Sequence, residues 1–348
     1  MTLSGRINVG ANSIKTTGTD AAGAATTTKT ESDWTGAEGT KTGSRLTVSG
    51  VEDLGGGLKA AFDYTAALSP TERGGALTTR RSNVSLMGGF GTVSVGSFDT
   101  NALDAVRGFS PTVANAAGGD FQARMQTGAF DGDKVVTGLA GSTSNAVVYQ
   151  LPAFGALKTS IAMVQQKRVA AALVTADQKV SGMILGADYT QGPLSVKFGY
   201  GNAKVTNEVA TAATATTAAI PAGNFTKVSD TAIGASYDLG MAVPYISFET
   251  SKRTTQADGF LKATGTELGA KFPMGALTPY VSIASGSFKT ENGNKRDAKT
   301  SAYQLGVNYD LSKRTSFYAT LGQDKAKSTL QNTNFKRTGY SAGVVHMF

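Results

Sequence analysis

The feature that most restricts this chain is an alternation in which, over many short stretches, every second residue is apolar and those between are polar or small. Leu58, Ala60, Phe62 and Tyr64 interleave with Lys59, Ala61, Asp63 and Thr65. Leu194, Val196, Phe198 and Tyr200 interleave with Ser195, Lys197, Gly199 and Gly201, and Tyr303, Leu305, Val307 and Tyr309 with Gln304, Gly306 and Asn308. Successive side chains of a β-strand point to opposite faces, so period two predicts strands with one greasy and one polar face. A membrane-crossing helix needs about eighteen consecutive apolar residues, and no window supplies them.

The strands are punctuated by two kinds of connection. Short links rich in Gly, Pro, Asp and Ser occur at 52–57, 88–91, 152–155, 191–193, 238–241, 273–275 and 310–314, where the residue types supply the φ values that tight hairpins need. The other links are long and weakly hydrophobic. Residues 15–43 are mostly Thr, Gly and Ala around a single Trp34, 203–226 are dominated by Ala and Thr, and 288–300 carry Glu291-Asn292-Gly293-Asn294. Long and short links are expected to alternate strictly, so that all the long ones lie at one end of a meander and all the short ones at the other, an arrangement that suits an outer-membrane barrel. Seven short turns separate eight strand–loop–strand units, so the expectation is sixteen antiparallel strands. Backbone groups in lipid must all be paired, so such a sheet must close on itself as a β-barrel. Sixteen crossings of about ten residues leave a little over half of the 348 residues for connections. The last strand fits, because the residues alternating back from Phe348 are His346, Val344, Ala342 and Tyr340. A soluble sandwich would need two domains and a linker, and a solenoid a short fixed repeat; neither is visible. The whole chain, 1–348, reads as one domain.

Composition narrows the function. Only 17% of residues are charged, 43 of 348 are Gly, there is no Cys, and His346 is the single imidazole. Thiol nucleophiles, zinc clusters and disulfides are excluded, and a barrel enzyme with a Ser–His pair is nearly so, since His346 has lipid-facing parity. No enzyme activity and no cofactor are expected. The formal net charge is +8, but no basic run exceeds a pair and aromatics are not interleaved with Lys and Arg, so a nucleic-acid partner is not expected. Asp131-Gly132-Asp133 is too few ligands to imply Ca²⁺. The readings that remain are a channel for small hydrophilic solutes and ions and, as an alternative, a surface adhesin or structural barrel with a plugged lumen.

Three segments carry a family likeness. Ser44-Arg45-Leu46 runs into Gly50-Val51-Glu52-Asp53-Leu54-Gly55-Gly56-Gly57-Leu58-Lys59-Ala60; Arg80-Arg81-Ser82-Asn83-Val84-Ser85-Leu86 follows; and Asp310-Leu311-Ser312-Lys313-Arg314-Thr315 lies near the end. With the terminal Phe348 they resemble the general diffusion porins of Gram-negative bacteria, nearest the beta-proteobacterial branch. The resemblance implies a 16-stranded transmembrane barrel with long extracellular loops and short periplasmic turns, assembled as a homotrimer in the outer membrane, with a third loop folded into the lumen as a constriction. The widest spacing between short turns runs from Gly91 to Pro152, and its irregular middle, about 98–144, is the candidate constriction loop. It carries Asp104, Arg107, Asp120 and Arg124.

In such porins a cluster of wall arginines faces this loop. Arg45 falls on the family's second-strand arginine, and parity places it inside. The opposite parity would put a guanidinium in lipid at a cost of about 2–4 kcal/mol. Parity with Asn83 and Ser85 favours Arg81 as a lumen residue, with Arg80 at the rim. Lys59 and Lys197 are further inward-facing bases, Asp63 and Glu249 are inward-facing acids, and the balance favours anions modestly. The chain departs from the pattern at 142–144 and at Val93-Ser94-Val95-Gly96-Ser97, where relatives often carry arginine. Tyr200, Tyr237, Tyr303, Tyr309, Phe335 and Tyr340 are expected to form interfacial girdles. Gly5 and Gly10 are the small residues expected to let adjacent barrels approach.

Overall fold

The computed structural model describes residues 1–19, 24–35, 43–69, 77–99, 108–110, 142–168, 178–207, 225–255, 259–291, 296–328 and 333–348. They form seventeen strand segments. The first nine are β1 (Thr2–Thr19), β2 (Ala25–Thr35), β3 (Ser44–Gly55), β4 (Leu58–Leu68), β5 (Thr78–Gly88), β6 (Gly91–Asp99), β7 (Ser142–Gln150), β8 (Leu157–Arg168) and β9 (Gln178–Gln191). The rest are β10 (Leu194–Asn207), β11 (Phe225–Tyr237), β12 (Val243–Thr255), β13 (Gly259–Lys271), β14 (Leu277–Glu291), β15 (Arg296–Asp310), β16 (Thr315–Ser328) and β17 (Thr333–Met347). From β3 onward each strand pairs antiparallel with the next, and β17 returns to β1 with Arg6 opposite Met347 and Thr19 opposite Asn334. β2 and β3 share one edge of β1. β2 takes Gly10 to Thr19 and β3 takes Thr2 to Arg6, so seventeen segments make sixteen staves of a closed barrel.

The alternation survives as the two faces of the wall. Phe62, Val84, Val95, Val147, Met163, Ile233, Ile283, Leu305 and Leu321 are exposed on the outside. An inside-out arrangement of this kind suits a barrel whose solvent is lipid. Aromatic rings flank the apolar band, with Tyr237, Tyr309 and Phe317 near the short turns and Phe248, Tyr303 and Tyr340 toward the other end. Phe335 does not join them: it lies opposite Gly18 and buried Ala326 on the inner face. Nor does Gly10 serve an outer contact, because a Cβ there would meet the Tyr318 hydroxyl at 2.5 Å inside the barrel.

All seven short links are tight hairpins. At the first, Gly55, Gly56 and Gly57 have φ of 83°, 61° and 81°, values that only glycine adopts freely, and Asp53 Oδ1 accepts the Gly55 N–H at 2.9 Å. Asp238 accepts from Gly240 N–H at 2.7 Å in the same way. At the other end the strands run further than the sequence suggested. Ala25–Thr35 pairs with β1 inside the expected 15–43 loop, β10 continues to Asn207, and β14 and β15 reach Glu291 and Arg296. Thr-rich segments are good strand formers with or without a greasy face. The strict alternation of long and short links also fails over the last third of the chain, where β12–β13, β14–β15 and β16–β17 are joined across only 256–258, 292–295 and 329–332.

Three tyrosines lie along the inner wall, each seated over a glycine of the following strand. Added Cβ atoms on Gly269, Gly306 and Gly343 would run into Tyr245, Tyr280 and Tyr318 respectively. Their hydroxyls reach Glu267 (2.6 Å), Thr320 and Asn8 (3.1 Å). Each ring therefore spans strands sideways and fills the space that the glycine leaves.

Candidate functional site: the barrel lumen

One wall of the lumen is basic. The direct partners Arg45 of β3 and Arg6 of β1 share a face with Thr47, Thr65, Asp63 and Arg81, because residues directly opposite in an antiparallel ladder point the same way. Thr47 and Thr65 hydroxyls meet at 2.9 Å on that face. Arg81 Nε and Nη2 donate to Asp63 Oδ1 and Oδ2 at 2.7 and 3.0 Å, a two-pronged bridge that fixes the guanidinium plane against the wall. Arg6 Nε donates to the Gly43 carbonyl at 2.9 Å where β3 takes over from β2, and Ser44 Oγ accepts from Asn8 N–H at the same seam.

Arg80 differs from its expected place at the rim. The β4–β5 register shifts between Thr65, opposite Arg81, and Ala66, opposite Thr79, which leaves Arg80 as the extra residue of a bulge. A bulge re-aims a side chain that simple parity would send outward. Arg80 Nε lies 3.7 Å from Asp99 Oδ1 and within electrostatic reach of Arg6. Arg6, Arg45, Arg80 and Arg81 thus form one inner basic wall with Asp63 and Asp99 among them.

The facing wall is acidic. Counting around the ring, β3 and β11 stand half a turn apart, as do β5 and β13. β11, β12 and β13 place Asp230, Glu249 and Glu267 inward, all buried. Ser251 Oγ donates to Asp230, and Tyr245 donates to Glu267. The described piece of the long β6–β7 connection, Gly108 to Ser110, lies against this wall. Phe109 is 5% exposed, and Ser110 Oγ donates to Glu267 Oε1 at 3.4 Å. This stretch of the connection is therefore inside the barrel, resting on the wall opposite the arginines. The strands on either side pair out to Asp99 and Ser142, so the connection starts and stops slightly inside the expected 98–144.

The remaining expected residues divide. Lys59 is on the inner face but at the second residue of β4, opposite Asp53 at the short-turn mouth. Lys197 faces inward opposite Asp188, which has Lys158 on its other side, so the three make a row of alternating charge. Glu249 is inward, as parity required. Asp104, Arg107, Asp120, Arg124 and the Asp131-Gly132-Asp133 triplet lie outside the described residues. Sequence reasoning passed over Arg6, Asp99, Asp230 and Glu267. For Arg6 the signal was present, since Ser4, Arg6 and Asn8 alternate with Gly5, Ile7 and Val9.

A closed wall with an apolar exterior, a charged interior and a connection folded within is the geometry of a water-filled channel. A family model described as Gram-negative porin matches residues 1–329. The chain belongs to the Gram-negative porin family. It is similar to outer membrane porin protein 32 of Delftia acidovorans, with 27% identity over 327 residues that cover 88% of this chain and 84% of the relative. Among solved structures, an anion-selective porin from Comamonas acidovorans superposes with a TM-score of 0.72 at 24% identity, covering 100% of this chain and 99% of the other. The trimer form of in-vitro folded OmpT of Vibrio cholerae gives 0.63 at 14% identity, covering 100% and 98%. The protein is thus a porin channel of the Gram-negative outer membrane and not an enzyme.

Proposed function

We propose that this porin is a homotrimeric general diffusion channel for small hydrophilic solutes and ions, with a modest preference for anions set at a constriction between the β1–β5 arginines and the β6–β7 connection. The observation that carries the reading is the inner wall on which Arg6, Arg45, Arg80 and Arg81 gather, with Asp63 bridging Arg81 and Asp99 beside Arg80. In a narrow aqueous pore, fixed charge decides which ion enters, because the low-dielectric wall focuses its field. The acids opposite do not cancel this in the proposed pore, since Asp230, Glu249 and Glu267 are buried and Ser110 of the connection donates to Glu267. Arg45 and Arg81 are proposed as the principal lining bases, with Asp104 and Asp120 as the acids of the connection.

The Comamonas acidovorans porin is described as anion-selective and the Vibrio cholerae protein was solved as a trimer, which supports both parts of the proposal. Two measurements test it. In a planar bilayer under a KCl gradient, the reversal potential should have the sign of a chloride-preferring pore; a cation-preferring or zero potential refutes the selectivity. Light scattering in detergent should give three times the monomer mass, and a monomeric species refutes the assembly.

A further inference from the structure

Lys158 of β8 and Asp188 of β9 stand directly opposite each other on the inner wall, near the short-turn mouth, and both line a cavity of about 190 Å³. Side chains so placed are within reach of one another. Among the described residues neither makes an ion pair or a side-chain hydrogen bond, so an ammonium and a carboxylate face the same space with their charges open. The comparable pair at the same mouth differs. Asp53, opposite Lys59, already accepts the Gly55 N–H at 2.9 Å within its turn.

The register arranges the rest of the cavity by depth. One inward step from the charged row lie Gln150 and Ser160, direct partners across β7 and β8. A second step brings Val148, Ala162 and Ile184, direct partners across β7, β8 and β9. Ala162 and Ile184 are buried in an apolar cluster against which Phe98 of β6 packs, while Lys158 and Gln150 are exposed. The cavity therefore has a charged opening, a hydrogen-bonding middle and an apolar end. Four residues separate the charged row from the apolar one, about 13 Å along the strand. A hydrogen bond of about 3 Å at one end and a van der Waals contact of about 4 Å at the other leave about 6 Å for a solute. Asp99 also lines the cavity, but its charge faces Arg80 at 3.7 Å.

We propose that this cavity is a wall subsite that retains a zwitterionic α-amino acid with an aliphatic side chain of about leucine size. The ammonium sits on Asp188, the carboxylate on Lys158 and the Gln150 amide, and the side chain runs along Val148 and Ile184 toward Phe98. A simple anion would meet Lys158 and be repelled by Asp188, a simple cation would meet the reverse, and a sugar would use neither charge. An inorganic ion would make no use of the apolar end. The inference rests on the channel reading above and adds to it a solute class that the pore holds briefly.

Saturation-transfer NMR on the folded, detergent-solubilised protein tests this, because it detects weak binding directly and does not depend on conduction. L-Leucine should bind saturably to wild type. Isocaproate, the same skeleton without the ammonium, and isoamylamine, the skeleton without the carboxylate, should each bind at least about tenfold more weakly. Glycine, which lacks the side chain, should do the same. Asp188→Asn and Lys158→Gln should each weaken leucine binding about tenfold, whereas Lys59→Gln should bind leucine as wild type does. Failure of wild type to bind leucine overturns the proposal, as does equal binding of isocaproate or isoamylamine. Unchanged leucine binding in folded Asp188→Asn and Lys158→Gln also overturns it. The ligand series is run on wild type, so it decides the matter even where a variant does not fold. KCl conductance of the same preparation separates the two readings: leucine binding without current refutes the channel alone, and current without leucine binding refutes the subsite alone.

Discussion

Gly343→Ala should weaken the barrel where its last strand meets its first. Tyr318 of β16 lies over Gly343 of β17 and Gly10 of β1, and its hydroxyl donates to Asn8 Oδ1 at 3.1 Å. A methyl group on Gly343 would stand 2.5 Å from that hydroxyl, 2.7 Å from Cζ and 2.6 Å from the Val9 carbonyl. Ordinary contacts of this kind are about 4 Å, so the ring must move by roughly an ångström. Overpacking of this size costs about 1–3 kcal/mol. Shifting the ring also breaks the hydrogen bond to buried Asn8, for about 1 kcal/mol more. The expected loss is therefore about 2–4 kcal/mol. Tyr318→Ala removes the obstacle, and in that background Gly343→Ala should cost about 1 kcal/mol or less, the part owed to the Val9 carbonyl. Urea unfolding of vesicle-inserted protein, read by the mobility of the folded band on unheated gels, gives all four corners of the cycle. An equal penalty for Gly343→Ala in both backgrounds would refute the interlock of ring and glycine.

Arg45→Glu changes the charge at the pore wall by two units and should lower the chloride-to-potassium permeability ratio about three- to tenfold in dilute KCl; an unchanged reversal potential would mean that Arg45 does not line the narrow part. Asp63→Asn removes the carboxylate that bridges Arg81 and should move the same potential toward anions, with the shift shrinking as salt rises. A shift toward cations would refute the placement of that pair in the ion path. Val84→Arg puts a charge on the lipid face and should cost about 2–4 kcal/mol in vesicle unfolding, whereas Ser85→Arg, one residue on, points into the lumen and should cost little. Equal effects would mean that the β5 register is wrong.

The outer face was legible because lipid imposes period two without exception on positions such as Leu58, Phe62, Leu305 and Tyr309, and the turns were legible because Asp53, Gly55 to Gly57 and Asp238 have chemistry specific to tight hairpins. The inner face obeys a weaker rule. Water, a tyrosine ring, an acid under a loop and a glycine are all acceptable there, so nothing in the pattern separated Tyr280, packed on Gly306, from an interfacial tyrosine. Arg80 was misplaced because one extra residue between Thr79 and Arg81 inverts parity locally, and only the register with β4 reveals it. Strand ends were underestimated because apolar alternation stops where lipid stops, while backbone pairing does not.

That last mismatch has a consequence for transport. β14 and β15 are 15 residues each and remain paired nearly to their ends, about 50 Å along the strand and, at a tilt of about 40°, close to 38 Å in height. The apolar band of such a barrel is about 25 Å tall, so roughly 13 Å of these staves rises clear of the hydrocarbon as a rigid collar. A solute crosses this antechamber before it meets the arginines, and the collar acts as a resistor in series with the narrow zone. Shortening the β14–β15 hairpin by two residue pairs should therefore raise single-channel conductance while leaving the reversal potential where it was.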